Sequence, residues 1–223
     1  MNSQESFLAG VRDVAPALVG NVPFGIIVGV TAVSVGFEPV TIIAMSGLMF
    51  AGAAQLAMID LLGEAAPLAI VVLTGLVVNL RYVMYSATIS QYFNDYGPRW
   101  RSIIAAFLLD ITFAMSVTKL DEDSTVEAAP YYIGVGIPLW LTWVSATAAG
   151  ALLGAGVPGS WHLEFAIPLV FLGLLAPAVD DQATAVAGIV AGLVAVALVD
   201  VPFNVGLLGG ALAGILAGAF AGR

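Results

Sequence analysis

The chain has 223 residues and a mass of 22.8 kDa; 61% of it is hydrophobic, 9% is charged, and mean hydropathy is +1.04. A soluble domain carries roughly 25% charged residues. The composition therefore excludes an ordinary soluble enzyme, a nucleic-acid binder and a disordered chain, and leaves an integral membrane protein. There is no cysteine and one histidine, His162. Disulfides, thiol chemistry and a multi-His metal site are thereby excluded, and no cofactor is expected. The net charge is -9 with one lysine, Lys119, so a basic nucleic-acid footprint is missing. An acidic, lysine-poor surface suits a high-salt setting such as a halophile's.

Met1 to Arg12 is polar and mixed, and about the first 13 residues read as a short flexible tail. The apolar run that follows is too long for the h-region of a signal peptide. Long apolar stretches then alternate with short breaks: 14–35, 40–62, 66–92, 101–118, 130–156, 163–179, 182–199 and 203–221. Each is near the ~20 residues a helix needs to cross ~30 Å of hydrocarbon. None shows the ~10-residue alternation of a barrel strand. The breaks, such as Gly36–Pro39, Asn94–Pro98 and Asp121–Asp123, carry turn residues and none is long enough for a soluble domain. The expectation is an all-α polytopic protein, one transmembrane permease domain over 1–223 with about seven crossings.

Polar groups inside spans are costly and mark function by default. In the first span Asn21, Pro23 and Gly25 interrupt the pattern; a helix break is expected there, since Pro removes a donor and Gly permits unusual dihedrals. In the second, Gly47, Ala51 and Gln55 share one helix face. That face reads either as a packing seam with polar glue or as a helix broken near Gly52 whose free groups line a cavity. In the third, Asn79 and Arg81 can both point inward only if the helix unwinds. Arg81 either snorkels, binds a carboxylate bidentately, or pairs with Asp110. Asp110 lies mid-span in the fourth, with no partner one turn away in either direction. It reads as a proton carrier, an ammonium contact or an interhelical ion pair. In the last span Gly206, Gly210, Gly214 and Gly218 recur every fourth residue. This packing face is expected to contact another helix, from this chain or a partner, with a partner or intersubunit contact favoured.

Pro23 and Pro138, with similar motifs at matching offsets, hint at two related halves, about 14–118 and 130–221. Placing Arg12, Arg99 and Arg101 all in the cytoplasm, as the positive-inside rule asks, requires an early broken or re-entrant stretch. With an odd crossing count the halves would be inverted. The N-terminus is then cytoplasmic, and the plasma membrane is the expected location. There is no P-loop, no H-E-x-x-H and no G-x-S-x-G, so an enzyme is not expected.

Several stretches occur together in order: Asn21-Val-Pro23-Phe24-Gly25, Phe50-Ala-Gly52-Ala-Ala-Gln55, Asn79-Leu-Arg81-Tyr82 and Leu108-Leu-Asp110-Ile-Thr112. Leu163-Glu164-Phe165 and the Val201-Pro202 ending with its glycine ladder follow. In order and spacing the chain resembles the AzlC family of branched-chain amino acid exporters over nearly its whole length. The resemblance implies a secondary transporter exporting Leu, Ile and Val with a small AzlD-like membrane subunit, coupled to the proton motive force. The sequence departs from the family where its usual His is Tyr82 and where the usual T-D-E keeps only Asp110, which leaves Asp110 as the coupling candidate. On this reading Arg81 meets the substrate carboxylate, Asp110 the ammonium, and Asn21, Gln55 and Asn79 add hydrogen bonds. Arg81 and Asp110 neutralising each other is the competing arrangement. A permease for another small amino acid or organic solute, or a non-transporting assembly subunit, are the alternatives.

Overall fold

The computed structural model describes residues 1–154, 179, 181–199, 201 and 205–222. The stretch expected at 163–179, apart from Val179, lies outside the described residues, as do His162 and Pro202. Among the described residues every regular element is a helix and there is no strand. They are α1 (Ser3–Ser34), α2 (Pro39–Leu48), α3 (Gly52–Gly63), α4 (Leu68–Val78) and α5 (Arg81–Ile89), which runs into a 3-10 turn (Ser90–Phe93). Next come α6 (Pro98–Ala106), α7 (Asp110–Glu122), α8 (Ala128–Gly154), α9 (Gln182–Ala197) and α10 (Val205–Ala221). Of the described helical stretches, three are long and apolar enough to cross a membrane: Ser3–Ser34, Leu68–Phe93 and Ala128–Gly154. The chain divides into two compact units, residues 1–56 with 78–157, and residues 57–77 with 158–223.

The first unit is built on α1 and α8. Gly134 lies against Phe7, Gly150 against Ile26 and Gly154 against Val30, so the contacts climb both helices in the same direction and the two run parallel. A Cβ at Gly150 would collide with the carbonyl oxygen of Ile26. Lipid supplies no hydrophobic force between helices, so association rests on close van der Waals packing, and small residues permit it.

Two expectations for α1 are corrected. The polar start is not a flexible tail, because helix begins at Ser3. Asn2 Oδ1 accepts from the Glu5 N–H (2.8 Å) and Glu5 Oε2 accepts from the Asn2 N–H (2.9 Å), a capping box that the spacing Asn-x-x-Glu already spells. The Met1 ammonium donates to the Thr125 carbonyl at 2.8 Å, and buried Ser6 accepts the Glu127 N–H at 3.0 Å. Pro23 and Gly25 do not break the helix, which runs on through both. Gly25 is instead a contact residue, where a Cβ would come within 2.7 Å of the Ala146 Cβ. A membrane helix tolerates Pro where neighbouring helices hold its flanks.

The breaks fall later, in the stretches expected at 40–62, 66–92 and 101–118. Residues 49–51 separate α2 from α3, with Met49 extended at φ -110 and ψ 91. Residues 79–80 tighten into a turn: Tyr82 N–H donates to Asn79 O (2.9 Å) and Val83 N–H to Leu80 O (3.0 Å). Residues 107–109 separate α6 from α7, with Leu109 extended at φ -134 and ψ 167.

In the second unit α9 and α10 form an antiparallel pair. The Gly210 and Gly214 positions approach the carbonyls of Ala191 and Ala187, each 2.7 Å from where a Cβ would sit. Gly206 faces the Ala195 carbonyl, and Gly218 the Ala187 Cβ. Of the two expected contacts, a helix of this chain or a partner, the glycine face makes the first: it is occupied by this chain's own α9. A matching alanine ladder, Ala183, Ala187, Ala191 and Ala195, receives it.

Candidate functional site

Arg81 and Asp110 each open a helix. Arg81 is the first residue of α5 and Asp110 the first of α7. Positive backbone charge gathers at a helix N-terminus, which suits Asp110 and disfavours Arg81. The two side chains meet, with Arg81 Nη1 3.0 Å from Asp110 Oδ1. This is the one ion pair among the described residues. The Tyr85 hydroxyl donates to the same Oδ1 at 2.9 Å. Tyr85 is itself held by stacking on Phe113, with ring centroids 4.3 Å apart and 13° between planes.

Thr112 fixes the backbone beneath Asp110. Its Oγ1 accepts the Leu109 N–H (2.8 Å) and donates to the Phe107 carbonyl (2.7 Å). One buried side chain thus satisfies two backbone groups of the break, the Leu109 N–H and the Phe107 carbonyl, and ties the start of α7 to the residues before it. On the other wall the Arg81 guanidinium lies 5.3 Å from the centroid of the Tyr82 ring, in cation–π range.

The pair is only partly covered, with Arg81 35% and Asp110 44% exposed. Beside it are three buried polar atoms without a hydrogen-bond partner among the described residues: Asn79 Oδ1, Arg81 Nε and Tyr82 Oη. A half-open pair with water on its open side is worth ~0–1 kcal/mol. Open to acyl chains, each charge would cost ~2.5–3.5 kcal/mol or more. Arg81 lies at the middle of the Leu68–Phe93 span. The arrangement therefore contributes little as glue and presents unlike charges at one place.

The other expected site residues have their contacts elsewhere in the first unit. Buried Gln55 donates from Nε2 to Ser46 Oγ (2.6 Å), tying α3 to α2 across the 49–51 break, and its Oε1 has no partner among the described residues. Gly52 opens α3 against the Trp143 ring, where a Cβ would sit 2.7 Å from the ring. Because the helix is broken, Gly47, Ala51 and Gln55 do not form one continuous face. Asn21 Nδ2 donates to the Leu139 carbonyl of α8 at 3.3 Å. Tyr85 and Ser46 were not among the expected site residues. Tyr85 had a sequence signal, since it lies one turn beyond Arg81 and shares its face.

The comparisons with known proteins agree with a membrane protein of this kind. The chain is 28% identical over 176 residues to Inner membrane protein YgaZ of Escherichia coli, covering 76% of this chain and 72% of that protein. It is 30% identical over 182 residues to an uncharacterized membrane protein of Archaeoglobus fulgidus, covering 79% and 78%. Branched-chain amino acid transport protein AzlC of Bacillus subtilis is 26% identical over 178 residues, covering 77% and 69%. No solved structure matches. A family model described as AzlC protein matches residues 16–157, more than half of the chain, which therefore belongs to the AzlC family.

Proposed function

We propose that this protein is the large subunit of a secondary transporter that exports branched-chain amino acids across the plasma membrane, with its N-terminus in the cytoplasm. The observation that carries the reading is the half-open Arg81–Asp110 pair at mid-span, flanked by unpartnered Asn79 Oδ1 and Tyr82 Oη. A zwitterion needs one cationic contact and one anionic contact. Arg81 takes the carboxylate and Asp110 the ammonium, with Asn79 as an added acceptor. The name of the Bacillus subtilis relative, a branched-chain amino acid transport protein, supports the substrate class.

Asp110 also carries the coupling proton in this reading. Protonation releases Arg81, and deprotonation recaptures it, so substrate and proton compete for one ion pair. The open side of the pair cannot rest against acyl chains at low cost. A small AzlD-like subunit, or the water-filled path between the two subunits, covers it.

The test is counterflow of labelled valine in proteoliposomes holding this chain alone, a small AzlD-like subunit alone, or both. Valine exchange that needs both chains and responds to an imposed pH gradient supports the reading. No exchange of leucine, isoleucine or valine by the pair, with exchange of another solute, would reject it.

A further inference from the structure

Between α5, the 3-10 turn and α6 lies a cavity of about 150 Å³. Its floor is apolar: Ile89, Phe93, Ile104 and Leu108, all buried. Its rim is polar, with Ser86, Ser90, Asn94 and Arg101. Ser86 directly follows Tyr85, and Leu108 lies two residues before Asp110, so the lining comes from chain segments adjoining the site above, without any of that site's side chains.

Arg101 is held in an unusual way. Its Nε donates to the Tyr96 carbonyl (2.9 Å) and its Nη2 to the Asn94 carbonyl (2.6 Å). A guanidinium has five N–H donors, and two are fixed on the turn's own backbone. Arg101 has no carboxylate partner among the described residues, since the one ion pair there is Arg81–Asp110. The remaining edge is preorganised for a planar anion, and little side-chain entropy is left to lose on binding. No acid among the described residues lines the cavity, so nothing among them selects an ammonium group.

The volume is about five times the ~30 Å³ share of one liquid water. It is well below the ~300–1,000 Å³ of pockets for drug-sized ligands. A short aliphatic chain ending in a carboxylate suits the space, the apolar floor and the charge.

We propose that this cavity is a second binding site, for small branched aliphatic carboxylates, in which Arg101 holds the carboxylate and Ile89, Phe93, Ile104 and Leu108 hold the side chain. Resting on the transport reading above, the site is a waiting station for the exported amino acid beside the Arg81–Asp110 pair. Without an acid it also accepts the same carbon skeleton lacking the amine. Aliphatic 2-oxo acids and simple branched fatty acids then occupy it and inhibit transport, because the ion pair beyond needs an ammonium group.

The experiment uses the purified full-length protein and radiolabelled 4-methylpentanoate, which has leucine's skeleton without its amine. Saturable binding is expected, displaced by leucine and by 4-methyl-2-oxopentanoate. Arg101→Gln should weaken it by ~10-fold or more, the loss of a charged bidentate contact. That change also frees two turn carbonyls, so Ala105→Leu is the second variant; it fills the cavity wall with the Arg101 contacts intact and should weaken binding as well. Absence of saturable binding to the wild type, or unchanged affinity in both variants while they remain monodisperse, overturns the site. Valine counterflow on the same preparation separates the two readings. Arg101-dependent binding with no counterflow leaves this site standing and removes the transport function.

Discussion

Arg81 and Asp110 lie 29 positions apart in the chain, each at the first turn of a separate half-helix, and their side chains meet at 3.0 Å. A tightened turn at 79–80, inside the helical stretch Leu68–Phe93, precedes Arg81, and an extended break at 107–109 precedes Asp110.

Neutralising the acid tests whether that pair works or merely holds. Asp110→Asn should abolish valine counterflow while changing unfolding free energy by less than about 1 kcal/mol, because a half-open pair adds little stability. Size-exclusion and thermal-melt profiles like those of the wild type, with normal counterflow, would remove Asp110 from the mechanism.

Tyr85 contributes through its hydroxyl alone. Tyr85→Phe keeps the stack on Phe113 and loses the bond to Asp110. A hydrogen bond to a charged group is worth ~1.5–3 kcal/mol, so valine affinity should fall by roughly 10-fold or more. Unchanged affinity by equilibrium binding would show that Tyr85 is packing only.

Glycine substitutions distinguish packing positions from open ones. Gly150→Ala drives a methyl group into the Ile26 carbonyl and should cost about 1–3 kcal/mol through overpacking. Gly20→Ala meets nothing within 4 Å and should be neutral or gain up to about 1 kcal/mol in helix propensity. Equal melting temperatures for the two variants would contradict the parallel α1–α8 contact.

Gly214→Leu should destabilise this chain when expressed without any partner, since the space is taken by Ala187 and Ala191 of α9. The readout is protease resistance of the chain by itself. A fully resistant variant that merely fails to bind a second subunit would restore the intersubunit reading.

Asp181 caps α9, accepting the Thr184 N–H at 2.6 Å and the Thr184 hydroxyl at 2.7 Å. These bonds hold its carboxyl below the usual value of 3.8. The unfolded chain therefore binds the proton more readily in that acidic window, and stability rises with pH there. The contribution is complete above the ordinary carboxylate pKa and is lost as pH falls through the lowered one. Asp181→Asn, which can still cap, should flatten that dependence in acid-melt experiments; an unchanged slope assigns it to other groups.

Much of this was legible beforehand where a property is local. Hydropathy and turn residues placed α8, α9 and α10 near their observed bounds, because apolar length and helix punctuation act within one segment. The capping box at Asn2 and Glu5 was equally local, but a polar composition outweighed it and read as a tail. The broken helices were misplaced for a related reason: Pro23 looks like a breaker, yet α8 supports α1 past it, while the real breaks carry no proline.

By itself the sequence determined that the chain lives in lipid, that it is helical, and which few polar side chains lie within apolar segments; composition and periodicity suffice for these. Only the tertiary structure decided that Arg81 pairs with Asp110, that Tyr85 joins them, that α1 and α8 run parallel, and that the glycine ladder meets α9. Each of these depends on which distant surfaces can approach within van der Waals or hydrogen-bond distance, and that is set by the fit of two faces against each other, which no single segment encodes.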